Sequence, residues 1–328
     1  MKYFLTNSQL TYTRVMLFSW ESGSTPSSLS ETNGEFLASK LRETLDIIGK
    51  RTIIINANHI ADVDDHFLNG LVELAKTKKL RVLIYSTDRT NELTSYFRDH
   101  FLDSPELKGN YCCISNVSYY GLSDGDFCSS DFERLKREAE DLEREELTGI
   151  IASSYISTRQ KLSSTPLNAT GHFDANILIS NPYVFRWLVL RLVDSVYQTI
   201  VNNQINDYTI VASSLRGAAI AGSVREILYF FSSPKFYVFD HIGPKHNFVH
   251  RDQQFEFNED ESCFYIGDFL IAGTELKMTH AYCSFFGGKI THAFTLGKYT
   301  KENQIGSIPV ESIVSLKECA PELEYTLE

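Results

Sequence analysis

Three short stretches carry side chains suited to holding an anion or a sugar. VASSLRGAAIAGSVREIL is an apolar run ending in Ser213, Ser214, Arg216 and Gly217, followed by a small-residue helix pattern. Serine hydroxyls and backbone N–H groups at a helix start donate to anions, an arginine fork grips phosphate or carboxylate at two points, and glycine admits close backbone approach. CFYIGDFLIAGTEL is a buried-strand pattern, an acid at Asp268, then a turn with Gly273, Thr274 and Glu275. A carboxylate at the end of a buried strand suits the hydroxyls of a bound sugar. DHIGPKHNFVHR gathers His241, Lys245, His246, His250 and Arg251, a basic loop able to close over an anionic ligand.

Each feature also has a plainer reading. Asp268 could cap a helix, Arg216 could stand in solvent beside a tight turn, and Glu275 could serve as a first-turn acid facing the helix dipole. The three histidines are spaced His-x4-His-x3-His with no cysteine pair, so no metal site is expected of them. No nucleophile-elbow serine, Walker loop or HExxH helix occurs, which leaves hydrolase, P-loop ATPase and zincin chemistry without a motif.

The 328 residues suggest two domains, each with its own core. With 42 acidic against 31 basic residues the net charge is −11, which disfavours direct nucleic-acid binding. The start, MKYFLTNSQLTYTRV, has neither a long apolar core nor a small-residue cleavage site, and VFRWLVLRLV is broken by two arginines. A cytoplasmic protein without membrane contact is expected. Six cysteines form no CxxC pair, and Cys263 and Cys283 lie in apolar runs as buried free thiols.

The elements that must position these residues follow from periodicity. RTIIINANHI and RVLIYST read as strands around the helix FLNGLVELAKTKK, a βαβ crossover with parallel pairing. Residues 106 to 130 fit no pattern. SSDFERLKREAEDLEREEL reads as a charged connector helix with an apolar stripe at Phe132, Leu135, Ala139 and Leu142, and Ser130 with Glu133 as a capping box. From residue 165 onward strands and helices alternate, with Asn181-Pro182 opening a helix whose buried face is Phe185, Leu188, Leu192, Val196 and Ile200. Alternating elements imply a parallel sheet, with its ligand at the strands' carboxyl ends.

Residues 165 to 300 resemble a type I phosphoribosyltransferase. That family's substrate loop is a strand, two acids, two apolar residues and Thr-Thr-Gly-x-Thr. Here the matching positions are Gly267-Asp268, Phe269-Leu270 and Ile271-Ala272-Gly273-Thr274-Glu275. Strand, second acid and central glycine match, whereas the first acid is Gly267 and three threonine positions hold Ile271, Ala272 and Glu275. The resemblance implies ribose hydroxyls on Asp268, pyrophosphate at Ser213, Ser214, Arg216 and Gly217, a 5′-phosphate at Gly273, Thr274 and Glu275, and Lys245 and His246 in the mobile basic loop. It also implies Mg²⁺ bridging pyrophosphate and ribose. Glu275 puts like charge where the phosphate belongs, so the loop is read as reworked, with its geometry kept.

TIIINANHIADVDDHFLNGLVELAKTKKLRVLIYS resembles the central strand–turn–helix–strand of STAS-like regulatory domains, with acids (Asp62, Asp64, Asp65) where that family often carries a phosphorylatable serine. The expected organisation is α/β throughout: a small STAS-like domain over 1–128, a connector helix over 129–160, and a parallel-sheet phosphoribosyltransferase-like domain over 161–328. The expected function is binding of a nucleotide or phosphosugar by a divergent phosphoribosyltransferase-fold protein. It would regulate, or act as an effector in, a bacterial stress or anti-phage defence module. It would take a protein partner through the STAS-like domain, with a homodimer allowed. Two alternatives stand beside it: an active Mg²⁺-dependent phosphoribosyltransferase using phosphoribosyl pyrophosphate, and a ligand-free protein-interaction module.

Overall fold

The computed structural model describes residues 5–6, 10–14, 28–29, 39–43, 52–58, 62–63, 65–86, 108–114, 117–123, 128–158, 160–161, 167–229, 232–239, 255, 257–258 and 261–327. The chain divides into two compact units, Met1–Glu146 and Leu147–Glu328. Both are α/β.

The first unit contains β1 (Leu5–Thr6), β2 (Leu10–Arg14), β3 (Ser28–Leu29), β4 (Thr52–Asn56), β5 (Asp62–Val63), α1 (Asp65–Lys78), β6 (Arg81–Ser86), β7 (Lys108–Ile114) and β8 (Val117–Ser123). Its sheet runs β1-β2-β4-β6-β8-β7, and β3 pairs with β5 apart from it. Strands β2, β4 and β6 are parallel, the crossover read from the sequence, and Ile53, Ile54, Ile55, Val82, Leu83 and Ile84 are all buried. Burial of successive residues is the mark of a strand covered on both faces. The unassigned stretch before residue 130 is an antiparallel hairpin, β7–β8, on the edge beside β6.

Helix α2 (Ser129–Ala152) stops well short of residue 160, and the division between units falls within it. It starts one residue before the expected cap. Asp131, not Glu133, accepts the returning bond, from the Cys128 N–H at 3.4 Å. Phe132, Leu135 and Ala139 are buried as a stripe, and Glu143 continues it. Its carboxylate takes both arms of Arg14 from β2, at 2.9 Å and 3.1 Å, with 1% of the Glu143 and 3% of the Arg14 side chain exposed. The turn before α1 is described only in its backbone at Asp62–Val63 and from Asp65. The side chains read as a STAS-like turn lie outside the description.

The second unit contains β9 (Tyr155–Ile156), β10 (Gln160–Lys161), β11 (Leu167–Ala169), β12 (His172–Phe173), α3 (Ala175–Ile179), α4 (Pro182–Asn203), β13 (Thr209–Ala212), α5 (Leu215–Leu228), β14 (Lys235–Val238), β15 (Glu261–Leu270), α6 (Thr274–Phe285), β16 (Gly288–Lys298), β17 (Gln304–Ile305), β18 (Ile308–Ser315), α7 (Leu316–Cys319) and β19 (Tyr325–Leu327). The main sheet is β14-β13-β15-β16-β18-β17, parallel except at β17. From β13 the chain passes leftward to β14, then returns to place β15 on β13's other side and continues rightward. The order therefore reverses at the β13/β15 crevice, a topological switch point.

Helix α4 opens as read: Asn181 caps it, accepting from Tyr183 N–H and Val184 N–H, with Pro182 in the first turn. Of the expected stripe Leu188, Leu192 and Val196 are buried, while Phe185 and Ile200, toward its two ends, are only half-buried. Trp187, Val189, Leu190 and Val193 are buried too, because α4 packs against α5, β16 and β18 together. On β15, Cys263 and Tyr265 join α6 residues Leu276 and Cys283 in one apolar cluster. Phe264 and Ile266 alternate to the other face. Short strands β9 with β12, and β10, β11 and β19, form two small sheets outside the main one.

Candidate functional site

The sequence singled out Ser213, Ser214, Arg216 and Gly217 after β13, and Asp268 with Gly273, Thr274 and Glu275 around β15 and α6. The structure brings both groups to the switch point. Ser214 caps α5, its Oγ accepting from Gly217 N–H at 2.9 Å. A Cβ on Gly217 would lie 3.0 Å from Ser214 Oγ and 3.4 Å from the Ile266 carbonyl, so glycine lets the helix start rest on the β15 backbone.

Asp268 lies within β15, five residues ahead of the α6 cap, and so does not cap a helix. Its Oδ1 accepts from Phe269 N–H at 2.7 Å, and its Oδ2 meets Arg216 Nε at 3.1 Å. Arg216 Nη1 also lies 3.7 Å from Asp174 Oδ1. Arg216 therefore keeps part of its surface in water but turns its charge on two acids. Burial pushes the Asp268 carboxyl up, opposed chiefly by the Arg216 charge.

Gly273 caps α6 at φ +71°, with no side-chain bond to the helix start. A Cβ there would meet Ile305 Cδ1 at 2.5 Å, so both conformation and space call for glycine. Thr274 opens the helix. Glu275, whose direction the sequence left open, is half-buried and feels the charges of Asp268 and Arg216. Burial, then Asp268, raise its carboxyl to about 7. Ser213 Oγ is 3.0 Å from the Tyr265 hydroxyl.

Tyr265 also accounts for the missing first acid. A Cβ on Gly267 would lie 2.9 Å from Tyr265 Cε1 and 3.0 Å from its hydroxyl. The phenol ring occupies the space that a side chain at 267 would need. Above the same strand end, the ring of Tyr155 of β9 packs tilted against Phe173 of β12 at 5.1 Å, and Phe173 against Phe269 at 5.2 Å. The next residue is Asp174, so the small sheet that places Phe173 also delivers the second acid to Arg216.

Sequence reasoning passed over Tyr265 and Asp174. Tyr265 lies in an apolar run, and Asp174 caps α3, accepting from Asn176 N–H. Lys245 and His246, with the rest of the basic stretch, lie outside the described residues. Among the described residues no group of three or more His, Cys, Asp or Glu is placed to hold a metal ion, and no helix is long and apolar enough to cross a membrane.

No family model matches the chain, and no curated protein matches it. Solved structures similar to it include an orotate phosphoribosyltransferase from Aeropyrum pernix, 13% identical over 53% of this chain and 97% of that one, with a TM-score of 0.38. An adenine phosphoribosyl transferase from Trypanosoma brucei, solved with AMP, pyrophosphate and ribose-5-phosphate, is 12% identical over 52% of this chain and 80% of its own, with a TM-score of 0.38. Leishmania donovani UMP synthase is 13% identical over 59% of this chain and 42% of its own, with a TM-score of 0.40.

Proposed function

We propose that the second unit is a phosphoribosyltransferase-like domain that binds the ribose of a nucleotide or phosphosugar and acts as a regulator or effector. What carries this reading is the meeting of Asp268 and Arg216 at the β13/β15 switch point, with Ser213 beside them on the Tyr265 hydroxyl. A carboxylate fixed there accepts from sugar hydroxyls, while Arg216 holds its charge in place. The tilted aromatic cluster of Tyr155, Phe173 and Phe269 offers an apolar wall beside it. For the first unit we propose a STAS-like regulatory role with a protein partner, in a stress or defence module.

The described side chains do not form a metal cage, and no step is assigned to Mg²⁺. Ligand phosphates can bring the ion with them, so the test is run both with and without it. The test is titration calorimetry of phosphoribosyl pyrophosphate, ribose 5-phosphate and the nucleoside monophosphates against wild type and Asp268→Asn. Micromolar binding that weakens at least tenfold in the variant supports the reading. Pyrophosphate release from phosphoribosyl pyrophosphate would favour an active transferase instead. The absence of heat with every ligand would refute ligand binding and favour a protein-interaction module.

A further inference from the structure

We propose that Asp174 is a specificity-determining residue of the cleft: its carboxylate stands at the end of the Arg216 fork, where an anionic ligand group would bind, and weakens the cleft's hold on anions while leaving its hold on ribose hydroxyls unchanged. This rests on the reading above that the switch point holds a ligand.

The Arg216 fork is used unevenly. Its Nε lies 3.1 Å from Asp268 Oδ2, within hydrogen-bond reach. Asp268 is held in turn by Phe269 N–H, which donates to its Oδ1 at 2.7 Å. That side of the fork is fixed. At the other end Nη1 lies 3.7 Å from Asp174 Oδ1, too far for a hydrogen bond, so the two attract as charges only. Asp174 Oδ1 accepts its hydrogen bond from Asn176 N–H, at 3.0 Å. The Arg216 side chain is 46% exposed and that of Asp174 28%. A loose, part-exposed pair of this kind contributes little to stability. Its effect is to set a negative charge beside the terminal nitrogens, which grip a phosphate or carboxylate at two points.

The backbone keeps Asp174 in this place. Its N–H donates to the Ser154 carbonyl at 2.9 Å. Strands β9 and β12 pair Tyr155 with Phe173, and the Phe173 ring packs on Phe269 of β15. An anion arriving at Arg216 must therefore bind beside the Asp174 charge, or turn the carboxylate aside and break its bond to Asn176. Neither cost falls on a ribose hydroxyl, which is uncharged and donates to carboxylate oxygens.

Asp174→Asn removes the charge and keeps the cap, because an asparagine carbonyl accepts the same bond from Asn176 N–H. The probes are inorganic pyrophosphate and the four nucleosides adenosine, guanosine, cytidine and uridine. They are titrated by calorimetry, without divalent cations, into wild type, Asp174→Asn and Asp174→Asn/Arg216→Gln. The expected result is pyrophosphate binding about five- to tenfold tighter in Asp174→Asn than in wild type, as follows from removing one charge about 4 Å from an anion at a part-exposed site. The best nucleoside should bind these two proteins equally, and the double variant should lose the gain for pyrophosphate. Pyrophosphate binding that is equal or weaker in Asp174→Asn, or a gain that survives in the double variant, would overturn the role of Asp174, and nucleoside binding in the same titrations would leave the ribose reading standing. A nucleoside affinity that changes as much as that for pyrophosphate would also overturn it, as a general disturbance of the cleft. A gain for pyrophosphate with no nucleoside bound by any of the proteins would uphold the effect of Asp174 on anions and refute ribose binding. No binding of any probe by any of the proteins, each folded by its melting curve, would overturn both together.

Discussion

Glu143→Ala tests the energetics of the first unit most directly. Glu143 and Arg14 are 2.9 Å apart and almost entirely out of water. At an effective dielectric of about 20 their gross attraction is roughly 6 kcal/mol. Much of that is offset by dehydrating two ions, so the pair's net contribution is small while the cost of breaking it is not. The alanine variant takes the buried carboxylate away from the Arg14 guanidinium, at about 3–5 kcal/mol. For a unit of 146 residues, an unfolding entropy of about 0.3 kcal/mol per degree turns that into a fall in Tm of roughly 10–17 °C. Differential scanning calorimetry on the full chain would read it as one transition moving while the second unit's stays. Salt between 50 mM and 500 mM should change the shift little, because a buried pair is weakly screened. The double variant Arg14→Met/Glu143→Leu should recover most of the loss. A fall under about 3 °C for Glu143→Ala, or a double variant as unstable as the single, would refute the argument.

Three further outcomes are expected of the second unit. Glu275 keeps its proton in the folded state up to about 7, while the unfolded chain loses it near the ordinary 4.5. Its contribution therefore falls as pH rises from about 5 to above 7, by on the order of 2–3 kcal/mol, and Glu275→Gln should flatten the fall in Tm over that range. An unchanged slope in the variant would count against the buried placement. Gly267→Asp, which restores the acid of the family pattern, should destabilise by about 1–3 kcal/mol in denaturant titration, because its Cβ meets the Tyr265 ring. A neutral result would mean that the ring moves freely. Gly273→Ala should cost at least about 1–3 kcal/mol, from its left-handed backbone and the contact with Ile305, and wild-type stability in this variant would contradict both.

The parallel cores were legible because strands buried on both faces are apolar runs, and because β13 ends in a serine-bearing and β15 in a glycine-bearing turn. That is why β13, β15 and their following helices read correctly, and why the site could be placed at their ends. The hairpin β7–β8 did not read. VSYYGLS is buried along its whole length, so serines and tyrosines sit inside and no polar face marks a strand. The ties between Arg216 and Asp174, and between Ser213 and Tyr265, join residues far apart in sequence, and no local pattern encodes them. Two local signals existed all the same. Gly267 stands two residues from Tyr265, on the same face of one strand, which leaves room for an aromatic ring to lie across the glycine. Glu143 falls four residues after Ala139, on the apolar stripe of α2, where an acid calls for a buried cation.

The distribution of thiols gives the chain a set of built-in probes. Cys113 and Cys128 are exposed in the first unit, while Cys263 and Cys283 are sealed between β15 and α6 in the second. An alkylating reagent should therefore mark the first two at once and the second two only when that strand and helix part. Counting labels by mass against time would measure how often the face beneath Gly273 and Glu275 opens, with no substitution made. A ligand that bridges Asp268 and the start of α6 would slow the late labels and leave the early ones alone.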